Sequence, residues 1–450
     1  MDRRVFLHVG LPKSGTTYVQ AVLGENKARL AEHGRLLYPG QVWVDQVRAV
    51  RDVRGATGSR TSRSRTAGAW QRLVDEMTDW DGDSVMSMEW LASATPDDIR
   101  RIVDSLAPLQ VQVIVTVRDL ARTIPAAWQE FVQNWEPWSW QEFIGAVASE
   151  HPRATPPGNK FWNQQDLGKI LATWRDALPA EQLYVVTVPQ SGAPAGELWS
   201  RICRVLEIDG RLYDAGGKGT NESLGLESSE LMLRINATSR LRGVDLKTYE
   251  EMFKHTLAKR GLSQRKHVET AQHAIPGELE EWAIARTREL VSAIEASGAH
   301  VVGDLADLEP RFRPAPPARP SAADGMLEAA VEGLVFLAKD TGKELGRLRR
   351  ANADLERQLG ELSSEVRSGV RSGVRSGVRG RLRSGVLGWL RSGTGWSVAG
   401  LLRDPRAALR PLTRRFREPP RSDGASTSTP RSAPVDPSTS DAPYPDGDIA

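Results

Sequence analysis

The stretch from Val5 to Leu23 constrains this chain more than any other. Val5 to Val9 is a short apolar run; Gly10 ends it; Leu11 to Thr17 holds a proline, a lysine, a glycine and three hydroxyl side chains; Tyr18, Val19, Val22 and Leu23 then recur at helical spacing. A strand that runs through a glycine-bearing loop into a helix is the opening unit of an α/β layered fold. Val5 to Val9, Ser84 to Met88, Val111 to Val117 and Leu183 to Val188 are candidate strands, each short, apolar and separated from the next by helical sequence. Such runs suit a parallel sheet covered on both faces. The expected fold is therefore α/β, a P-loop-type parallel sheet flanked by helices, over residues 1 to about 310.

The loop itself has phosphate chemistry. A helix N-terminus offers unpaired backbone N–H groups and the positive end of the helix dipole. Gly10 and Gly15 permit close backbone approach, Lys13 adds a mobile cation, and Ser14, Thr16 and Thr17 add hydroxyl donors. The spacing is close to GxxxxGK[ST], but Thr16 follows Gly15 and the lysine lies inside the loop at Lys13.

PKSGTT in this strand-loop-helix context resembles the 5′-phosphosulfate loop of sulfotransferases that use 3′-phosphoadenosine 5′-phosphosulfate (PAPS). The resemblance extends over residues 1 to about 310. It implies PAPS as donor, with Lys13 stabilising charge on the bridging oxygen and Ser14, Gly15, Thr16 and Thr17 holding the 5′-phosphate. It also implies a contact to the 3′-phosphate by an arginine at a later strand end; here Val111 to Val117 leads into Arg118. The serine that such proteins carry about eight residues on is Ala126, whose methyl cannot donate; Thr123 is the substitute donor in reach along the sequence. Ser87-Met88-Glu89-Trp90 resembles the Ser-x-Glu segment of bacterial and carbohydrate sulfotransferases, which makes Glu89 the candidate base for the acceptor proton. His8 is the rival base, although a hydrogen-bonded core histidine is the plainer reading of its place in a strand. Asn221 and Ser223 resemble a late segment that approaches the nucleotide. Two other readings remain. A P-loop kinase would use a similar cradle for ATP but needs a lysine beside the hydroxyl residue; a non-catalytic nucleotide-binding scaffold is favoured by Ala126.

Trp128, Phe131 and Trp135 fall at helical spacing and read as core, whereas Trp138 and Trp140, after Pro137, are candidates to line an acceptor pocket. The seven histidines form no HxxxH-type cluster, so no metal is expected. A formal charge of +3 against 26% charged residues argues against nucleic acid as partner. The lone Cys203 excludes an intramolecular disulfide, and the start Met1-Asp2-Arg3-Arg4 lacks the long apolar core of a secretion signal; a cytoplasmic location is expected.

Residues 311 to 325 read as a proline-rich linker. Beyond it, Leu327, Val331, Leu334, Ala338, Thr341, Leu345, Leu348, Asn352, Leu355, Leu359, Leu362 and Val366 keep one heptad register. The pattern over 326 to 366 predicts a coiled coil and hence a homodimer, or else one amphipathic helix packed on the domain. Gly333, Gly342 and Gly346 weaken its first half. From Arg367 to Arg421 there are fourteen arginines against two acids, with Trp389 and Trp396 interleaved, a composition suited to peripheral contact with an anionic membrane. Residues 422 to 450, rich in Ser, Pro, Thr and Asp, read as a disordered tail.

Overall fold

The computed structural model describes residues 3–55, 66–216, 224–267, 269, 273–313 and 322–375. Asn221, Ser223, the Ser/Pro tail and the basic segment beyond residue 375 lie outside the described residues. The chain divides into two compact units, one running through Thr341 and one starting at Gly342.

The first unit is built on a six-stranded sheet: β1 (Arg4–His8), β2 (Leu36–Leu37), β3 (Asp83–Ser87), β4 (Gln110–Val117), β5 (Leu183–Thr187) and β6 (His300–Val302). The strand order is β2-β3-β1-β4-β5-β6, with every pairing parallel. The sheet is covered on both faces, and the strand sequences show why. Along β1, Val5 and Leu7 join one core with Met86, Val113 and Val185, while Phe6 joins the opposite core with Val85, Ile114 and Val186. A strand buried on both sides has no polar alternation, which is why these runs read as continuous apolar sequence. The four expected strands are all present within a residue or so at each end. The two short ones, β2 and β6, sit at the sheet's edges.

Local signals start the helices. Thr95 and Asp98 form a reciprocal capping box ahead of the helix Pro96–Leu106, with proline at its first turn, and Ser139 with Glu142 does the same for Trp140–Val147. Between Tyr249 and Gly261 the chain winds as a π-helix of 13 residues. This i→i+5 winding is usually confined to single turns.

The helix Ala322–Arg375 contributes to both units. Within the first unit it packs through Ala329, Gly333, Phe336 and Leu337. A Cβ on Gly333 would stand 2.8 Å from Leu257, and Phe336 lies over Gly261. Asp340 pairs with Arg260 and Glu332 with Arg265. The heptad positions Leu327, Val331 and Leu334 are on another face and are exposed. Packing on the domain thus occurs, but through a stripe other than the heptad, and Gly333 supports it by allowing close approach. In the second unit Leu345, Leu348, Leu355, Leu359 and Leu362 are likewise exposed, and Asn352 Nδ2 donates to Glu356 Oε1 at 3.3 Å. Among the described residues no helix is long and apolar enough to cross a membrane.

Candidate active site

β3 and β4 flank β1, so the chain leaves β1 first to one side and then to the other. The crevice at the carboxyl ends of such strands is where open α/β sheets bind ligands. The loop after β1 is tied to β4: Val9 and Leu11 donate to the carbonyls of Ile114 and Thr116 at 2.9 and 3.0 Å. A Cβ on Gly10 would lie 2.5 Å from Thr16 Cγ2 and 2.7 Å from Thr116 Oγ1, so no side chain fits there.

Lys13 and Gly15 both occupy the left-handed region, at φ 69 and φ 85. For lysine this costs on the order of 1 kcal/mol, and the surrounding bonds hold it there. The Ser14 N–H donates to Leu11 O at 3.1 Å, the Ser14 hydroxyl bonds Leu11 O and Thr116 Oγ1, and Gln165 Nε2 donates to Pro12 O at 2.7 Å. Ser14 is therefore buried, with its hydroxyl engaged inside the turn, while Lys13, Gly15, Thr16 and Thr17 line the cleft. The helix Thr16–Glu25 starts at Gly15 without a side-chain cap, and its first bond runs from Val19 N–H to Gly15 O. Its first-turn amides and the positive end of its dipole point at the loop.

Two carboxylates accompany Lys13. Glu130, on the helix Leu120–Gln133, accepts from Lys13 Nζ at 2.7 Å. Burial pushes its carboxyl up, but the ammonium groups of Lys13, Lys259 and Lys254 more than reverse this and hold it below the usual carboxylate range. Glu89 lies just past β3 and accepts from Gln20 Nε2 at 2.8 Å. Burial holds its carboxyl above the usual range; Glu130 adds to the rise, whereas Gln20 and Lys13 oppose it. A carboxylate raised in this way holds a proton better, as a general base near neutral pH requires.

Arg118 stands at the end of β4. Its Nη1 donates to Lys13 O at 3.3 Å, and its buried Nε has no protein partner. Asp119 compensates it only in part, because Asp119 also pairs with Arg122 and caps the helix Leu120–Gln133. Burial lowers the Arg118 guanidinium to about 10, with the positive charges of Arg122 and Arg313 adding to the fall and Asp119 opposing it. Such a group gains most from an incoming anion. Ala126 lines the cleft one helical stretch further on, and Thr123 does not replace its missing donor: it is 2% exposed, and its hydroxyl donates to Arg118 O at 3.4 Å.

His8 is a structural histidine. Its ring bridges Ser87 Oγ at 2.7 Å and Thr116 Oγ1 at 3.1 Å, linking β3 and β4 across β1, and burial lowers its pKa to about 4. Trp138 and Trp140 do not line the cleft: Trp140 is buried edge-on to Trp128, and Trp138 packs against Phe131. Trp135 lines it instead, stacked on Tyr249 with centroids 4.6 Å apart. Trp135 follows the end of its helix at φ 70; it packs against the core, as its spacing suggested, and also reaches the cleft.

The cleft has a volume of about 1960 Å³, and eleven lysine and arginine side chains line it against four glutamates. Arg311, Phe312 and Arg313, from the start of the proline-rich stretch, belong to its wall. Sequence reasoning missed Glu130, Gln20, Lys254, Lys259 and Arg313. Only Glu130 carried a signal, as the acidic position on the face of its helix opposite the aromatic stripe.

No family model matches the chain, and no curated protein matches it. Among solved structures, that of a sulfotransferase from Alicyclobacillus acidocaldarius aligns with 56% of this chain and 100% of its own, at 15% identity and a TM-score of 0.34. A likeness that distant carries no argument about function.

Proposed function

We propose that this protein transfers a sulfonate group from PAPS to a hydroxyl or amine. The observation that carries the reading is the convergence at one strand edge of Lys13 in the PKSGTT loop, Glu89 past β3, and Arg118, with an unsatisfied buried Nε, past β4. When bound, the donor supplies a sulfonate on a phosphosulfate bridge, whose sulfur is taken by the acceptor oxygen or nitrogen as the bridging oxygen departs with the phosphate.

The residues divide that work. The loop amides and Thr17 hold the phosphate, and Lys13 exchanges Glu130 for the oxygen on which charge develops. Glu89 takes the acceptor proton. Arg118 takes the second phosphate, which explains how a guanidinium so short of partners is kept at a strand end. The residues fit a ligand with two separated phosphate groups, and the position of Lys13 within the loop separates it from the kinase pattern, where the lysine adjoins the hydroxyl residue.

Calorimetric titration of the full chain with adenosine 3′,5′-bisphosphate, adenosine 5′-phosphate and ATP tests this. The bisphosphate should bind at least tenfold more tightly than the monophosphate, and Arg118→Ala should abolish that difference. Preference for ATP would sink the reading.

A further inference from the structure

The π-helix Tyr249–Gly261 forms one wall of the cleft through Tyr249, Glu250, Lys254 and Lys259. Three of these are spaced by five residues, and i→i+5 winding keeps residues five apart on the same side of the helix. In an α-helix each step of five would turn about 140°, which would set Lys254 on a different face from Tyr249 and Lys259. The unusual winding therefore puts Tyr249, Lys254 and Lys259 on the cleft together.

These lysines lie at the transfer centre. Their charges, with that of Lys13, act on Glu130. Lys254 has Glu250 at 3.8 Å, a long contact, and Lys259 makes no ion pair among the described residues. The Lys259 ammonium is lowered by partial burial and then by Lys254 and Lys13, against the pull of Glu130. Three cations thus act on Glu130, and one of them, Lys254, also faces Glu250. On the donor reading, Lys13 and Arg118 already serve the nucleotide from the strand ends, which leaves Lys254 and Lys259 as the cations of this wall, in a cleft where eleven lysines and arginines face four glutamates.

We propose that the π-helix wall is an anion subsite for the acceptor: Lys254 and Lys259 bind a carboxylate, sulfate or phosphate carried by the acceptor near the hydroxyl or amine that receives the sulfonate. This rests on the sulfotransferase reading. The substrate class is accordingly an acidic one, such as a glycan bearing uronic acid or existing sulfate groups, and a neutral sugar or simple phenol is a poor acceptor.

The test uses the full chain saturated with adenosine 3′,5′-bisphosphate and titrated calorimetrically with 4-nitrophenyl β-glucuronide, its 6-O-sulfated glucoside counterpart and the neutral glucoside. Both acidic probes should bind at least tenfold more tightly than the neutral one. The double change Lys254→Gln and Lys259→Gln should erase the difference, and Lys254→Arg with Lys259→Arg should restore it, which separates loss of charge from loss of fold. The relative affinities of the two acidic probes show whether carboxylate or sulfate is the better fit. Equal binding of all three probes, or a preference that survives the glutamine changes, overturns the subsite. So does a glutamine variant that loses bisphosphate affinity but keeps the acidic preference, because the lysines would then serve the donor. If the bisphosphate does not bind the unaltered chain, the donor reading has failed and this inference with it.

Discussion

Replacing Glu130 by glutamine should tighten the binding of the nucleotide rather than weaken it. In the structure the carboxylate holds Lys13 Nζ at 2.7 Å, and a phosphate or sulfonate oxygen arriving at Lys13 must share that ammonium with it. Two like charges about 5 Å apart at an effective dielectric of about 20 repel by roughly 3 kcal/mol. The Glu130 side chain is 41% exposed, so solvent screening reduces this to about 1 to 2 kcal/mol. Glutamine keeps the shape and removes the charge. The dissociation constant of adenosine 3′,5′-bisphosphate, measured by calorimetry at low ionic strength, should fall about tenfold. The gain should shrink as salt is raised, since the competing charges are partly solvated. Turnover should stay within a fewfold of the unaltered chain, because Glu89 keeps the proton. Unchanged or weaker binding would refute the competition. Loss of turnover in Glu130→Gln with normal turnover in Glu89→Gln would exchange the roles of the two carboxylates.

Glu89→Gln should lower kcat by roughly a hundredfold or more with bisphosphate affinity kept. In the unaltered enzyme kcat/KM should rise with pH along a limb displaced above the ordinary carboxylate range, as the burial of Glu89 requires. His8, with a pKa of about 4 against 6.5 in the unfolded chain, contributes stability that is complete above 6.5 and is lost as pH falls toward 4. The loss is on the order of 3 kcal/mol, and the melting temperature of His8→Asn should be flatter over that window; an equal slope would show that another group titrates. Gly15→Ala should destabilise the fold by about 1 to 2 kcal/mol, from φ 85 and a Cβ 2.5 Å from Leu198 Cδ2, and should weaken bisphosphate binding; a normal denaturation midpoint counts against the strain. The exposed leucines of the C-terminal helix should make the full chain a parallel homodimer, with Asn352 specifying register. Sedimentation should then show Leu355→Lys with Leu362→Lys as a monomer, and an unaltered chain that is already monomeric at tens of micromolar removes the proposal.

The four long strands and the strand-loop-helix unit at Gly10 to Thr17 were legible because their signals are local: continuous apolar runs, and glycines beside a lysine and hydroxyls ahead of a helix. β2 and β6, two and three residues long, are too short to carry a period. The π-helix was hidden for a related reason: its cleft-facing residues repeat every five positions, a spacing that neither the helical nor the strand template detects. Glu130 was obscured by the aromatic stripe on the other face of its own helix. Trp138 and Trp140 were misplaced because leaving a helical stripe says nothing about where the next turn points. Lys254, Lys259 and Arg313 reach the cleft from segments far along the chain, and no pattern near any of them indicates that meeting.

The seam between the loop and β4 also has a meaning in time. Leu11 bonds the Thr116 carbonyl, while Ser14 and His8 bond its hydroxyl, a hundred residues or more downstream. β1 is made before the other strands of this sheet, and both of its neighbours there are still unsynthesised at that point. The loop after β1 therefore cannot take shape as its own sequence emerges. It must wait, with Lys13 and its loop unformed, until translation has passed Val117 and non-local pairing can close around it, a long-range event of the kind that slows folding.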